Sequence, residues 1–179
     1  TYCIIPKLRG KFRSRTVEDI VREAKELADM GAKELIVVSQ DSTSYGKDLY
    51  GEPSLEKLLK ELCKIEKLKW IRVLYCYPED ITESLAKTIA EEPKLVKYLD
   101  MPIQHISDKV LKLMGRRGDS ALIKEKIKLL RDTIPGLTLR STVITGFHGE
   151  GKAEFAELAE FLKEVKFERL GVFAFSCEE

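Results

Sequence analysis

Residues 137–175, LTLRSTVITGFHGEGKAEFAELAEFLKEVKFERLGVFAF, read as one strand–helix–strand unit. Residues 137–145 have the length and apolar content of a strand, and Gly146-Phe147-His148-Gly149-Glu150 ends it. From about Lys152 to Val165, the apolar residues Phe155, Leu158, Ala159 and Leu162 recur at helical spacing. Residues 170–175 are again a short apolar run. Two such strands joined by a helix lie parallel, through a right-handed crossover.

The same alternation runs back through the chain. Thr16 reads as an N-cap, followed by Ile20, Val21, Ala24, Leu27 and Ala28 at helical spacing and by Gly31 as a C-terminal stop. Residues 35–38 follow as a strand. Ser54 caps a helix bearing Leu55, Leu58, Leu59 and Leu62, and residues 70–75 are the next strand. Thr82 opens a helix with Leu85, Ala86 and Ile89, which Pro93 ends, and residues 96–103 are the third strand. Ser107 caps a short helix to about Met114, and Gly115-Arg116-Arg117-Gly118 breaks it. Asp119 or Ser120 starts another helix, with Leu122, Ile123, Ile127 and Leu130 facing inward. Strands apolar on both faces, or nearly so, in strict alternation with helices predict a parallel sheet covered by helices. An open doubly wound sheet and a (β/α) barrel, complete or not, both satisfy this order. In either, chemistry sits at the carboxyl ends of the strands.

Composition narrows the function classes. The chain has 179 residues, 44% hydrophobic and 34% charged, which suits one globular domain rather than a disordered chain. A net charge of +1 supplies no overall field for nucleic acid. No apolar run approaches the roughly 18 residues that a membrane span needs, and no partner in a membrane is expected. The four cysteines, at 3, 63, 76 and 177, hold no Cys-x-x-Cys pair. A chain of this size needs no disulfide staples and shows no signal peptide, so a reduced, cytoplasmic protein is expected. The sequence opens without Met and ends on Glu178-Glu179, both of which read as cuts through a longer protein.

The strand ends select the candidate site. They carry Ser39, Gln40 and Asp41; then Cys76, Tyr77 and Pro78; then Gln104, His105 and Ser107; then Gly146 to Glu150; then Ser176 and Cys177. This rim is rich in hydrogen-bonding groups. It lacks the dense carboxylates of a hard-metal or paired-acid site. The glycines of the 146–150 turn tolerate positive φ and let a ligand approach the backbone, or mark an ordinary turn. His105 is a base or ligand on one reading and a hydrogen-bonded loop residue on the blander one. Lys7, Arg9, Lys11, Arg13 and Arg15 alternate, and in extended backbone they form one basic stripe. Such a stripe contacts an anionic group or is simply solvated.

Four ordered motifs then carry a resemblance over essentially the whole chain. They are Thr1-Tyr2-Cys3-Ile4-Ile5-Pro6 with Arg9-Gly10-Lys11-Phe12-Arg13; Gln40-Asp41-Ser42-Thr43-Ser44-Tyr45-Gly46; Asp100-Met101-Pro102-Ile103-Gln104-His105-Ile106-Ser107 with Met114-Gly115-Arg116; and Thr145-Gly146-Phe147-His148-Gly149-Glu150. Together they resemble the radical S-adenosylmethionine (SAM) methylthiotransferases. His148 departs from the pattern, where the family usually has Pro. The details before the Ser-Tyr-Gly and after the Pro are similar to the RimO branch. That branch methylthiolates an aspartate β-carbon of the twelfth protein of the small ribosomal subunit. The MiaB-like branch, which modifies adenosine in tRNA, is the alternative, and a non-radical (β/α) barrel lyase or a binding domain is the second.

The resemblance implies an α/β fold, an open partial (β/α) TIM-like barrel of parallel strands lacking its first strand. It implies that residues 1–179 are the radical SAM core alone, without the N-terminal domain that holds a second [4Fe–4S] cluster and without a small C-terminal β domain. It implies a [4Fe–4S] cluster, two in the full-length enzyme, and SAM, cleaved to a 5′-deoxyadenosyl radical. Cys3 matches the third of three cluster cysteines. The other two would precede Thr1, so the isolated chain is expected to be inactive. Gln104 and Ser107 are expected at the ribose, Arg116 at the methionine carboxylate, and Gly146 and Glu150 beside the adenine or methionyl group. No residue is assigned a direct role in the chemistry. Expected partners are the ribosomal protein, a sulfur donor and an electron donor such as flavodoxin or ferredoxin.

Overall fold

Continuous apolar strands alternating with amphipathic helices fold as that pattern requires. A computed structural model describes residues 4–177. The strands are β1 (Glu34–Val37), β2 (Trp70–Val73), β3 (Leu95–Asp100), β4 (Thr138–Thr145) and β5 (Arg169–Ala174). Between and before them run the helices α1 (Ile5–Arg9), α2 (Val17–Asp29), α3 (Lys47–Tyr50), α4 (Leu55–Cys63), α5 (Glu83–Glu91), α6 (Asp108–Met114), α7 (Ser120–Thr133) and α8 (Lys152–Val165). A 3-10 turn, Pro78–Asp80, follows β2.

The strands stand in the order β1-β2-β3-β4-β5, and every neighbouring pair is parallel. That order decides between the two architectures. A doubly wound sheet reverses direction at a switch point, whereas this sheet never does. Right-handed crossovers in one direction put all helices on one face. The helices accordingly lean on one another in sequence, α2 on α4, α4 on α5 and α5 on α7. Among the described residues β1 pairs only with β2 and β5 only with β4, so the barrel is open.

The core lies between this helical layer and the sheet. Ile71, Val73, Leu95, Leu99, Leu139 and Val143 meet Leu58, Leu59, Leu62, Leu85, Ile123, Ile127 and Leu130 there. The opposite face differs from the expectation of a sheet apolar on both sides. It bears Arg72, Tyr98, Asp100, Arg140, Thr142 and Ile144, and it is tied by ion pairs. Arg72 donates to Glu34 at 2.7 Å and lies over the Tyr98 ring at 4.8 Å, while Arg140 donates to the buried Asp100 at 2.6 Å. A sheet that lines a ligand cavity has no helix to bury that face, so its alternate residues stay polar. An open slot of about 440 Å³ runs along the free edge of β1, between residues 12–15, α2 and α4.

Local sequence signals act as expected at several ends. Thr16 accepts from Asp19 N, Thr82 from Leu85 N and Asp119 from Leu122 N. Ser54 and Ser107 occupy N-cap positions but make no side-chain cap bond. Two readings change. Residues 5–9 form α1 instead of extended chain, so Lys7 and Arg9 leave the alternating stripe, and Arg15 is consumed by ion pairs with Asp19 and Glu23. On α8, Phe155 is 52% exposed and Phe161 is buried in its place.

Candidate functional site at the carboxyl ends of the strands

Parallel winding brings the loops after β1, β2, β3 and β4 together on one rim. Each loop is built by a different device. After β1, the Asp41 carboxylate accepts from the hydroxyls of Thr43 and Ser44, both at 2.6 Å, and folds the serine-rich turn upon itself. After β2, Tyr75 is held at φ 59°, a conformation that a non-glycine residue enters only when its surroundings fix it. Its carbonyl accepts from Ser42 N at 2.8 Å, which stitches the first two loops together.

After β3 the chain continues past Asp100 to Gln104, which has φ 69°. Gln104 N donates to Thr142 O at 2.9 Å and its carbonyl accepts from Ile144 N at 2.8 Å. These bonds clamp the Met101–Ser107 loop against β4. His105 is fully buried, and its Nδ1 accepts from Ser107 N at 2.9 Å. Ser107 is buried at the start of α6. Burial lowers the affinity of the His105 imidazole for a second proton, against a weaker opposing pull from Glu150.

After β4, Gly146 turns at φ 78°. The Glu150 carboxylate reaches back and accepts from the N–H groups of Gly146 and Phe147 through Oε2. Oε1 lies 3.9 Å from His105 Nε2, and the Glu150 side chain is only 4% exposed. A Cβ built on Gly146 meets nothing within 4 Å, so space stands open over that backbone. Phe147, His148 and Phe175 pack edge to face beside it, with His148 and Phe175 centroids 5.1 Å apart.

Arg116 follows α6. Its side chain is 5% exposed and lies over the Tyr77 ring at 4.5 Å. Nη2 donates to Glu79 Oε2 and to Pro102 O, each at 3.3 Å. Nε and Nη1 are buried with no partner. Buried guanidinium N–H groups without acceptors carry a desolvation cost that a carboxylate offsets. This is the observation that fits an anionic ligand group at the rim. Nearby, Asp80 takes Arg117 at 2.6 Å and Lys47 at 3.2 Å. Burial alone would raise the Asp80 carboxyl, but these two cations hold it below its usual range.

The structure therefore brings Gln104, Ser107, Arg116, Gly146 and Glu150 to one rim. Cys3 lies outside the described residues. Among the described residues no group of three or more His, Cys, Asp and Glu side chains stands ready for a metal. Cys76 is fully buried, and burial raises its thiol well above the usual range, with Asp100 and Asp41 adding to the effect. A thiol so held does not fit a cluster ligand. The described residues thus fit a small ligand with a carboxylate and do not themselves fit an iron–sulfur cluster. Glu79 and Asp80 are missed by sequence reasoning, although an acidic pair immediately after a strand and a proline was a visible signal. Tyr75 and Gln104 leave no such signal, because nothing in their side chains calls for positive φ.

Residues 1–162 match the family described as the Radical SAM superfamily. Over all 179 residues the chain is 58% identical to the protein named ribosomal protein uS12 methylthiotransferase RimO of Clostridium botulinum (strain Eklund 17B / Type B) and 57% identical to that of Clostridium novyi (strain NT). The chain spans 40% of the length of each. Among solved structures, the radical SAM methyltransferase TsrM from Kitasatospora setae, with cobalamin and a [4Fe–4S] cluster bound, superposes with a TM-score of 0.69 at 15% identity. That match covers 89% of this chain and 31% of the other. Coproporphyrinogen III oxidase (HemN) from Escherichia coli, described as a radical SAM enzyme, gives 0.62 at 19% identity over 93% of this chain and 39% of the other. Identities this low speak for the fold alone, and they agree on an open parallel barrel. No helix among the described residues is long and apolar enough to cross a membrane. With its fold and its sequence pointing the same way, the chain belongs to the radical SAM superfamily.

Proposed function

We propose that this chain is the core of a methylthiotransferase that acts on the β-carbon of an aspartate in ribosomal protein uS12. The observation that carries the reading is identity of 58% and 57%, over every residue of this chain, with two proteins named as methylthiotransferases of ribosomal protein uS12. The unpartnered Nε and Nη1 of buried Arg116 support it, as an acceptor-hungry guanidinium suits the carboxylate of SAM. Gln104 and Ser107 take the ribose side. Gly146 offers open backbone to the adenine or methionyl side, and Glu150 holds that backbone in place. Cys3 serves as one cluster ligand, with the remaining cysteines supplied upstream, and a second cluster domain and a small β domain complete the protein. When bound, the cluster and SAM supply the reductive carbon–sulfur cleavage that makes hydrogen abstraction possible. The residues described here bind, orient and shield. The partners are the ribosomal protein, a sulfur donor and a flavodoxin- or ferredoxin-like electron donor, in the cytoplasm.

The test uses the full-length protein with clusters reconstituted anaerobically. Reductant and SAM are expected to yield 5′-deoxyadenosine, and added uS12 to gain the mass of a methylthio group on one aspartate. Modification of tRNA instead would replace the substrate assignment. Failure to cleave SAM would remove the proposal.

A further inference from the structure

His105 has no place in the reading above, yet its imidazole is fully buried on the rim. Three observations define what it does. Its Nδ1 accepts from Ser107 N at 2.9 Å, so in the neutral ring the proton resides on Nε2. Nε2 is buried without a hydrogen-bond partner. The group it faces is Glu150 Oε1 at 3.9 Å, while Oε2 of the same carboxylate holds the Gly146 and Phe147 N–H groups. The imidazole is therefore a rigid bridge with one end fixed to the Gln104–Ser107 loop. Its other end is aimed at the carboxylate that shapes the Gly146 turn. The gap is about one ångström longer than an ordinary hydrogen bond. A buried donor that faces a carboxylate oxygen without bonding to it is under-satisfied, so closing the gap is favourable.

We propose that His105 is a positioning residue: its Nε2–H closes onto Glu150 when SAM fills the space over Gly146, and so couples the ribose-side and adenine-side loops. The inference rests on the SAM-binding reading above. Around the imidazole, Glu150, Glu154 and Glu157 supply the negative field. Lys109 is spent on Glu154 at 2.8 Å. The bond gained is thus one from a neutral donor to a carboxylate, with no proton transferred.

Two substitutions divide the imidazole into its halves. In His105→Asn the carboxamide oxygen replaces Nδ1 as acceptor for Ser107 N and nothing reaches Glu150. In His105→Gln the carboxamide nitrogen reaches the Nε2 position. The measurement is titration calorimetry of SAM into the full-length, cluster-loaded protein without reductant, paired with the urea unfolding midpoint of each variant. The expected result is affinity within about threefold of wild type for His105→Gln. For His105→Asn the expected loss is about tenfold, the size of one hydrogen bond to a charged group. Equal affinity for His105→Asn and wild type overturns the proposal. So does equal loss in both variants that tracks the unfolding midpoints, which makes the role structural. A second readout needs no variant. The ¹⁵N resonances of His105 are expected to show an Nε2-protonated neutral ring that shifts when SAM binds, and the other tautomer or an unmoved Nε2 signal overturns the proposal. If wild type itself binds no SAM, the functional reading fails and takes this inference with it. If wild type binds and His105→Asn binds equally, only this inference fails.

Discussion

Gly146 and Gly46 both need positive φ, at 78° and 87°, but for different reasons. A methyl group on Gly146 meets open space, whereas on Gly46 it falls 2.7 Å from Ser54 Cβ. A Cβ cannot move without its backbone, so that clash does not relax cheaply. Gly146→Ala is expected to cost only the left-handed backbone term, about 1 kcal/mol. Gly46→Ala is expected to cost about 3 kcal/mol, since overpacking adds to that term. Urea unfolding of both variants measures the difference, and equal losses would refute it. The same Gly146→Ala methyl occupies the space assigned to SAM, so it should impair SAM binding more than folding. At this scale the sequence showed which glycines sit at turns. It did not show which have a neighbour against them, because Ser54 reaches Gly46 only through the fold.

Helix ends supply the test at the scale of an element. Sequence alone offers Thr16, Ser54, Thr82, Ser107 and Asp119 as N-caps, and all occupy that position. Only Thr16, Thr82 and Asp119 turn their side chains onto the orphan N–H groups. Thr82 Oγ1 accepts from Leu85 N at 3.0 Å and donates to Glu56 at 3.0 Å, so one hydroxyl ties α5 to α4. Thr82→Ala is expected to cost about 1 kcal/mol. Ser54→Ala should cost well below that, because the Ser54 hydroxyl donates to Glu52 O and caps nothing. Denaturant titration of the pair decides it, and a larger loss at Ser54 would contradict the geometry. The residue type identifies the boundary. The rotamer that forms the bond depends on what packs around it.

The whole molecule sets the response to pH. Burial holds the His105 pKa below its ordinary 6.5, so the unfolded chain takes up a proton near that pH while the folded chain does not. Stability present above pH 6.5 is therefore lost progressively as pH falls below it. Glu154 acts lower. Its bond from Lys109, helped by Gly151 N–H, holds it at about 2, and its contribution, present above 4.5, is lost as pH falls toward that value. The expected profile of unfolding midpoint against pH declines first below 6.5 and again below 4.5. His105→Asn should lack the first decline and keep the second. A wild-type profile flat down to 4.5 would show that the buried imidazole accepts its proton freely.

Periodicity and capping chemistry, which act within a few residues, determined the elements from sequence: α8 runs over Lys152–Val165 as its apolar spacing requires, and the β3–α6 and β4–α8 turns fall where the rim motifs lie. Tertiary structure alone decided the strand order, and with it a barrel instead of a doubly wound sheet. It alone set Arg116 against Glu79, Arg140 against Asp100 and His105 against Glu150. These partners lie on different strand-to-helix units. No local repeat encodes which loops become neighbours, whereas the winding of the parallel sheet brings them within a few ångströms and makes one rim of four separate turns.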